Sequence, residues 1–144
     1  MPPGWRHHVH TRPMTLREVL HAHIPTLNEL STVRDAVDKM DVYQFPALVI
    51  VNGEAYPIGV LTEGDLCRAV AQRDSVVAMA TDPALTYASK DPTVAPADLE
   101  IGEAFHRMLA SGLTLLPVID DERLMGIVLR VDLMQAMMMD AGAA

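Results

Sequence analysis

The stretch Gly59-Val60-Leu61-Thr62-Glu63-Gly64-Asp65-Leu66 returns later in the chain as Gly126-Ile127-Val128-Leu129-Arg130-Val131-Asp132-Leu133. An internal duplication of this kind fixes the architecture before any single residue does, because each copy must form the same unit. Each copy reads as a strand that turns into a helix. Leu66, Ala69 and Val70 share one helical face in the first, and Leu133, Ala136 and Met137 in the second.

The duplication extends upstream. Val33, Ala36, Val37 and Met40 follow the i, i+3, i+4, i+7 spacing of a helix with one buried face, and Ile101, Ala104, Phe105 and Met108 repeat it. Short extended segments near Thr26-Leu27 and Thr93-Val94 precede these helices. Short apolar runs follow them, Ala47 to Val51 and Leu115 to Ile119, and read as buried strands. Asn52-Gly53 predicts a hairpin turn, since both residues tolerate positive φ, and Asp120-Asp121-Glu122 predicts a looser one. The expected fold is therefore α/β (α+β): two β-α-β-β-α repeats packed with pseudo-twofold symmetry around a shared core. A three-stranded sheet of this size is marginal by itself. The expected boundaries are a flexible leader at 1–13, one repeat at 14–80 and the other at 81–140. The connector from about Gln72 to Pro92 is broken by Asp82-Pro83 and Asp91-Pro92.

Composition narrows the function classes. The chain has 144 residues, half of them hydrophobic, and a formal charge of −8. That charge argues against nucleic acid as a partner, which needs clustered cations. No apolar run approaches the ~20 residues of a membrane span, and the start lacks the apolar region of a signal peptide. The single cysteine, Cys67, fits a cytoplasmic location and reads as a small core residue on an apolar helix. His7, His8 and His10 fall in the leader. His21 and His23 are poor co-ligands, so no metal site is expected.

With these residues in view, the chain resembles a tandem pair of CBS (cystathionine β-synthase) domains, a Bateman module, over roughly Met14 to Met139. The resemblance rests on the order of elements, the duplication, Leu116-Pro117-Val118 and the Gly-Val-Leu-Thr-x-x-Asp-Leu segment. It implies two clefts between the halves that take AMP, ADP, ATP or S-adenosylmethionine. It also implies a homodimer that regulates some other protein.

Thr62-x-x-Asp65 is where the chemistry concentrates. A Thr three residues before an acid is close to a capping box, which satisfies orphan N–H groups with no ligand at all. The same geometry suits a sugar phosphate. A helix N-terminus attracts phosphate, the Thr62 hydroxyl adds a hydrogen bond, the Asp65 carboxylate can accept from ribose hydroxyls, and Gly64 leaves room. By resemblance, Val60 lines one wall, Thr86 meets the ribose or base, and Leu113, Thr114 and Leu115 line an adenine slot. Thr86 and Thr114 stand out, because a polar residue among core positions needs a partner. In the second copy Leu129 replaces the hydroxyl, leaving Asp132 and Arg130 as a weaker second site. Val49 stands where the other repeat has Pro117.

No nucleophile–base pair, phosphate-cradling glycine loop or paired carboxylates are identifiable, so catalysis is not expected and no cofactor is required. The leading expectation is a regulatory module that binds an adenosine-containing ligand. The alternative is a dimerisation or interaction scaffold with vestigial clefts. Met134, Met137, Met138 and Met139 on the last helix would then be its working surface, core and dimer face being the usual role of such a stripe. A third reading is an accessory subunit whose ligand is not a nucleotide.

Overall fold

A computed structural model describes residues 12–73 and 75–143. The leader at 1–13 therefore lies outside the described residues apart from Arg12 and Pro13, and His7, His8 and His10 lie wholly outside them.

The elements follow the duplicated order. β1 (Thr26–Asn28), α1 (Val33–Tyr43), β2 (Ala47–Val51), β3 (Pro57–Thr62) and α2 (Glu63–Arg73) form the first repeat. A short α3 (Val76–Met79), a 3-10 turn (Ala84–Tyr87) and β4 (Ser89–Lys90) make the connector. β5 (Ala95–Pro96), α4 (Ile101–Ser111), β6 (Leu115–Asp120), β7 (Arg123–Leu129) and α5 (Arg130–Ala143) form the second. A 3-10 turn at Leu16–Glu18 precedes it all.

Two compact units result, and they do not follow the repeat boundaries along the chain. Unit 2 holds His23–Val94 with the hairpin tip Asp121–Leu124. Unit 1 holds the described residues up to Ala22, then Ala95–Asp120, then the chain from Met125 onward. The segment around Leu16, first in the chain, thus belongs with the second repeat.

The hydrogen bonds explain this exchange. In unit 1, Leu16 N donates to Leu99 O at 3.0 Å and Arg17 N to Ala97 O at 2.9 Å. His21 then bridges β7 in both directions, His21 N to Ile127 O at 2.9 Å and Ile127 N to His21 O at 3.1 Å. In unit 2 the connector does the same work. Ala84 N donates to Ser31 O at 2.9 Å, Val33 N donates to Asp82 O at 2.9 Å, and β4 pairs antiparallel with β3. Each repeat thus lends its opening segment to the other repeat's sheet.

In unit 2, β1 runs parallel to β2, and β2 and β3 are antiparallel, giving the order β1-β2-β3-β4. Unit 1 has the order β5-β6-β7 with β5 parallel to β6. Each unit has its own core. Leu27, Val33, Ala36, Leu48, Ile50, Leu61, Leu66 and Met79 fill unit 2. Leu16, Ile101, Ala104, Met108, Leu116, Val118, Val128 and Leu133 fill unit 1. The buried faces of the helices are those the spacing picks out, except that Val37 is exposed.

Two turns differ from expectation. The β2–β3 loop is not a tight Asn-Gly turn. Asn52 closes a wider loop by accepting the backbone N–H groups of Glu54 (2.9 Å) and Tyr56 (3.0 Å) on its Oδ1, and the left-handed residue is Ala55, φ 64°. The β6–β7 turn is instead the tight one. Asp121 and Glu122 both sit at positive φ, 51° and 59°, between strands that end at Asp120 and resume at Arg123. That is a two-residue hairpin turn of the primed kind, whose twist matches the strands. Cys67 is a correction: it is exposed, on the flank of α2 beside buried Leu66, and not a core residue.

Candidate functional site

Thr62 ends β3 and Asp65 sits in the first turn of α2. Together they close a complete capping box. Thr62 N donates to Asp65 Oδ2 at 2.9 Å, and Asp65 N donates to Thr62 Oγ1 at 3.1 Å. The other carboxylate oxygen, Oδ1, accepts from Arg68 Nη2 at 2.6 Å. Asp65 is largely covered, with 14% of its side chain exposed, whereas Arg68 is 72% exposed. Arg68 lies across Gly64, where an added Cβ would stand 3.3 Å from its Nη1 and 3.7 Å from Thr62 Oγ1. A hydroxyl, a carboxylate and a solvent-exposed cation therefore converge where the helix N–H groups begin, a place that favours negative charge.

Arg68 was not among the residues singled out from sequence. Its signal is the i,i+3 spacing from Asp65, which places the two side chains side by side on a helix.

The remaining predicted residues divide between the units. Val60 lies in β3 opposite Ser89 of β4, so unit 2 carries Val60, Thr62, Gly64, Asp65 and, in the neighbouring 3-10 turn, Thr86. Leu113, Thr114 and Leu115 belong to unit 1 with Arg130 and Asp132. Leu115 is buried and Leu113 packs against the unit 1 core. Thr86 and Thr114 are both exposed, so water can satisfy their hydroxyls. Neither is obliged by burial to find a protein partner.

The second copy is half a box. Leu129 N donates to Asp132 Oδ2 at 2.8 Å, but no hydroxyl returns a bond to Asp132 N. The same oxygen, Oδ2, lies 2.9 Å from His21 Nε2. His21 reaches it because its backbone bridges β7. Sequence reading weighed His21 only as a metal ligand, since nothing local ties it to Asp132. Arg130 is half-buried and lines a hollow with Phe105, Leu109, Thr114, Val131 and Met134. Among the described residues no His, Cys, Asp and Glu cluster suits a metal ion, and no helix is long and apolar enough to cross a membrane.

A third carboxylate repeats the box geometry with no sequence copy of the Gly-Val-Leu-Thr segment. Asp35 N donates to Thr32 Oγ1 at 3.2 Å, and Thr32 N donates to Asp35 Oδ2 at 2.9 Å, at the start of α1. Those hydrogen bonds from the Thr32 backbone and side chain hold the Asp35 carboxyl below its ordinary value.

Comparison with known proteins gives a consistent family. The CBS domain model matches residues 16–72 and 84–139. An uncharacterized protein of Methanopyrus kandleri is 30% identical over 131 residues, covering 86% of this chain but only 63% of its own. The chain thus spans under two thirds of that relative. Among solved structures, CBSX2 in complex with AMP matches at a TM-score of 0.75 and 18% identity, covering 87% of this chain and 96% of its own. The CBS domain pair of protein MJ0100, in complex with 5-methylthioadenosine and S-adenosyl-L-methionine, matches at 0.75 and 19%, covering 87% and 96%. At such identities the likeness is one of fold.

Proposed function

This chain belongs to the CBS domain family, and from that premise we propose that it is a regulatory module whose ligand contains adenosine: AMP, ADP, ATP or S-adenosylmethionine. The observation that carries the reading is the Thr62–Asp65–Arg68 group at the head of α2. The box holds the Thr62 hydroxyl and the Asp65 carboxylate in fixed positions before any ligand arrives, so little ordering remains to be done on binding. The Thr62 hydroxyl still has its proton to donate, and Arg68 supplies a cation for phosphate. Val60 gives an apolar wall, Gly64 lets Arg68 and a ligand come close to the box, and Thr86 in the neighbouring turn serves the sugar. The proposal assigns Leu113, Thr114 and Leu115 to the base, and Arg130 with Asp132 to a weaker second site. That CBS pairs of this fold have been solved with AMP and with S-adenosylmethionine supports the ligand class.

The module acts, in this proposal, as a cytoplasmic homodimer that regulates a separate protein and catalyses nothing itself. The exposed apolar residues Leu109, Val131, Met134, Met138 and Met139 on α4 and α5 support a covered face. The scaffold alternative draws on one observation, that Asp132 in the second copy is already engaged by His21.

Calorimetry and thermal shift with AMP, ATP and S-adenosylmethionine test the reading, because a ligand that binds only the folded chain raises its stability by mass action. Asp65→Ala should abolish binding. Asp35→Ala removes an equivalent box and should leave it intact. No binding below millimolar by any of the three, or equal binding by Asp65→Ala and the wild type, would overturn the reading.

A further inference from the structure

The opening segment and the connector are duplicates of each other. Leu16 and Ala84 are the buried residues of corresponding 3-10 turns. Further along, each segment meets an edge strand at an equivalent place: His21 faces Ile127 in unit 1, and Ser89 faces Val60 in unit 2. The backbone holds them unequally. The connector adds a strand, pairing Lys90 with Gly59 and Ser89 with Val60, whereas the opening segment meets β7 in the isolated bridge of His21 with Ile127.

Side chains supplement that bridge. Leu16 is fully buried, and Arg17 donates to Asp98 at 3.3 Å and to Asp120 at 3.3 and 3.4 Å. His21 Nε2 lies 2.9 Å from Asp132 Oδ2, on a carboxylate only 19% exposed. Unit 2 has no copy of this last link, since Ser89 stands in the place of His21 and Asp65 is paired with Arg68. Between about pH 5.5 and about pH 8, carboxylates and guanidinium groups ordinarily keep one charge and histidine does not. Among these anchors the charge that changes is that of His21.

The neighbouring elements bring no competing charge. On α5, Arg130 stands two positions before Asp132 and so on another side of the helix, where it lines the hollow with Phe105 and Leu109. Gln135 and Ala136, one turn on from Asp132, are uncharged, as are Gly126 and Ile127 on β7. The loop after β5 brings Asp98, already paired with Arg17, and Glu100, which bridges to Thr15. Glu18, on the segment itself, is paired with Arg12. A neutral imidazole donates to Asp132 only in the tautomer with its proton on Nε2. The imidazolium donates from both nitrogens and adds a charge. A proton on His21 therefore tightens the link, and by linkage the link is strongest where His21 is protonated.

We propose that the opening segment is a pH-dependent strap: protonated His21 clamps it to Asp132 at the edge of β7, and loss of the proton loosens it. Loosening also releases Asp132, the carboxylate assigned above to the weaker second site. The strap itself needs no ligand, so it stands or falls separately from the adenosine reading.

Hydrogen exchange on the full chain at about pH 5.5 and about pH 8, corrected for the intrinsic pH dependence of exchange, tests the strap at Ile127 N, which donates to His21 O. An exposed ion pair is worth a factor of about two to five, so Ile127 N should be about two- to fivefold better protected at the lower pH. The amides of β3 in unit 2 give the reference. His21→Gln and Asp132→Asn should each abolish the difference, and the asparagine keeps an oxygen for Leu129 N. His23 and His106 are exposed and remain in both variants, so any pH effect of theirs would persist. Equal protection of Ile127 N at the two pH values in the wild type overturns the proposal. So does a change shared equally by β3, or a pH dependence that survives in either variant.

Discussion

Gly126 and Gly59 occupy the same place in the two copies, yet replacing each by alanine should have very different consequences. At Gly126 an added Cβ would stand 2.4 Å from His21 O, 2.7 Å from Leu20 Cδ1 and 3.0 Å from His21 C. Two of those three atoms are backbone, so no rotamer change relieves the clash and the segment carrying His21 must move off β7. The movement breaks two backbone hydrogen bonds, each worth about 0.5–1.5 kcal/mol net. Forcing an extra carbon into a packed site costs about 1–3 kcal/mol. If the segment peels back to its 3-10 turn, fully buried Leu16 is exposed as well, at about 1.5–3 kcal/mol. These costs overlap, since a segment that has left no longer clashes, and we expect Gly126→Ala to lose about 3–5 kcal/mol. At Gly59 the nearest atoms are Leu85 Cδ1 at 3.0 Å and Ala88 Cβ at 3.3 Å, both in side chains of the 3-10 connector. Leu85 can turn aside, and Gly59→Ala should lose about 1–2 kcal/mol. Urea denaturation of the two variants beside the wild type measures the difference, and hydrogen exchange at Ile127 N reports whether the segment has left the sheet. A Gly126→Ala protein within 1 kcal/mol of wild type, or less harmed than Gly59→Ala, would refute the account of how the opening segment is held.

Three further outcomes follow from single sites. Glu122→Gly should stabilise by about 0.5–1 kcal/mol in thermal denaturation, because Glu122 sits at φ 59° in a two-residue turn where Asp-Gly is the preferred pair. Asp35 and Glu18 are both held below their ordinary values of 3.8 and 4.5, Asp35 by the hydrogen bonds from Thr32 and Glu18 first by its hydrogen bond from Arg12. Carboxylates shifted this way stabilise the fold above those ordinary values and lose that contribution as the pH falls through the depressed ones. Asp35→Asn should therefore lower the urea midpoint at pH 7 and approach wild type near pH 2, and an equal deficit at both would contradict this. Arg68→Gln should weaken AMP about five- to tenfold in calorimetry while leaving adenosine nearly unchanged, and equal losses for both would remove Arg68 from phosphate binding.

Much of the fold can be read from periodicity because the chain states it twice. The stripes ending at Met40 and Met108 place α1 and α4, and the apolar runs at Ala47 and Leu115 place β2 and β6. What periodicity does not carry is the exchange of opening segments. Leu16 is the one fully buried side chain of its 3-10 turn, and its partners Leu99 and Ala97 lie far along the chain, so no local pattern announces the pairing. The hairpins invert for a related reason. Asn52 prefers to spend its side chain as an acceptor for two backbone N–H groups, which widens the loop. Asp121 and Glu122 are held left-handed by the strands on either side. Within the candidate site, Thr62 and Asp65 are legible because capping and anion binding ask for the same residues. Arg68 is legible only once Asp65 is placed on a helix, and His21 only once the exchange is known.

The capping box and the ligand reading do not compete for the same atoms. Thr62 Oγ1 accepts the Asp65 N–H and keeps its own proton for another acceptor. Asp65 Oδ2 accepts from the Thr62 N–H, and Oδ1 accepts from Arg68 Nη2. A ribose hydroxyl can take the second lone pair of Oδ1 or displace Arg68, whose side chain is largely in solvent. A guanidinium drawn off Oδ1 would stand where a phosphate needs it. In the second copy that balance changes. Asp132 lacks both the threonine hydroxyl and an arginine three residues on, since Gln135 stands where the first copy has Arg68. The asymmetry between the copies thus lies in the chemistry around the carboxylate and not in the carboxylate itself, which both copies keep.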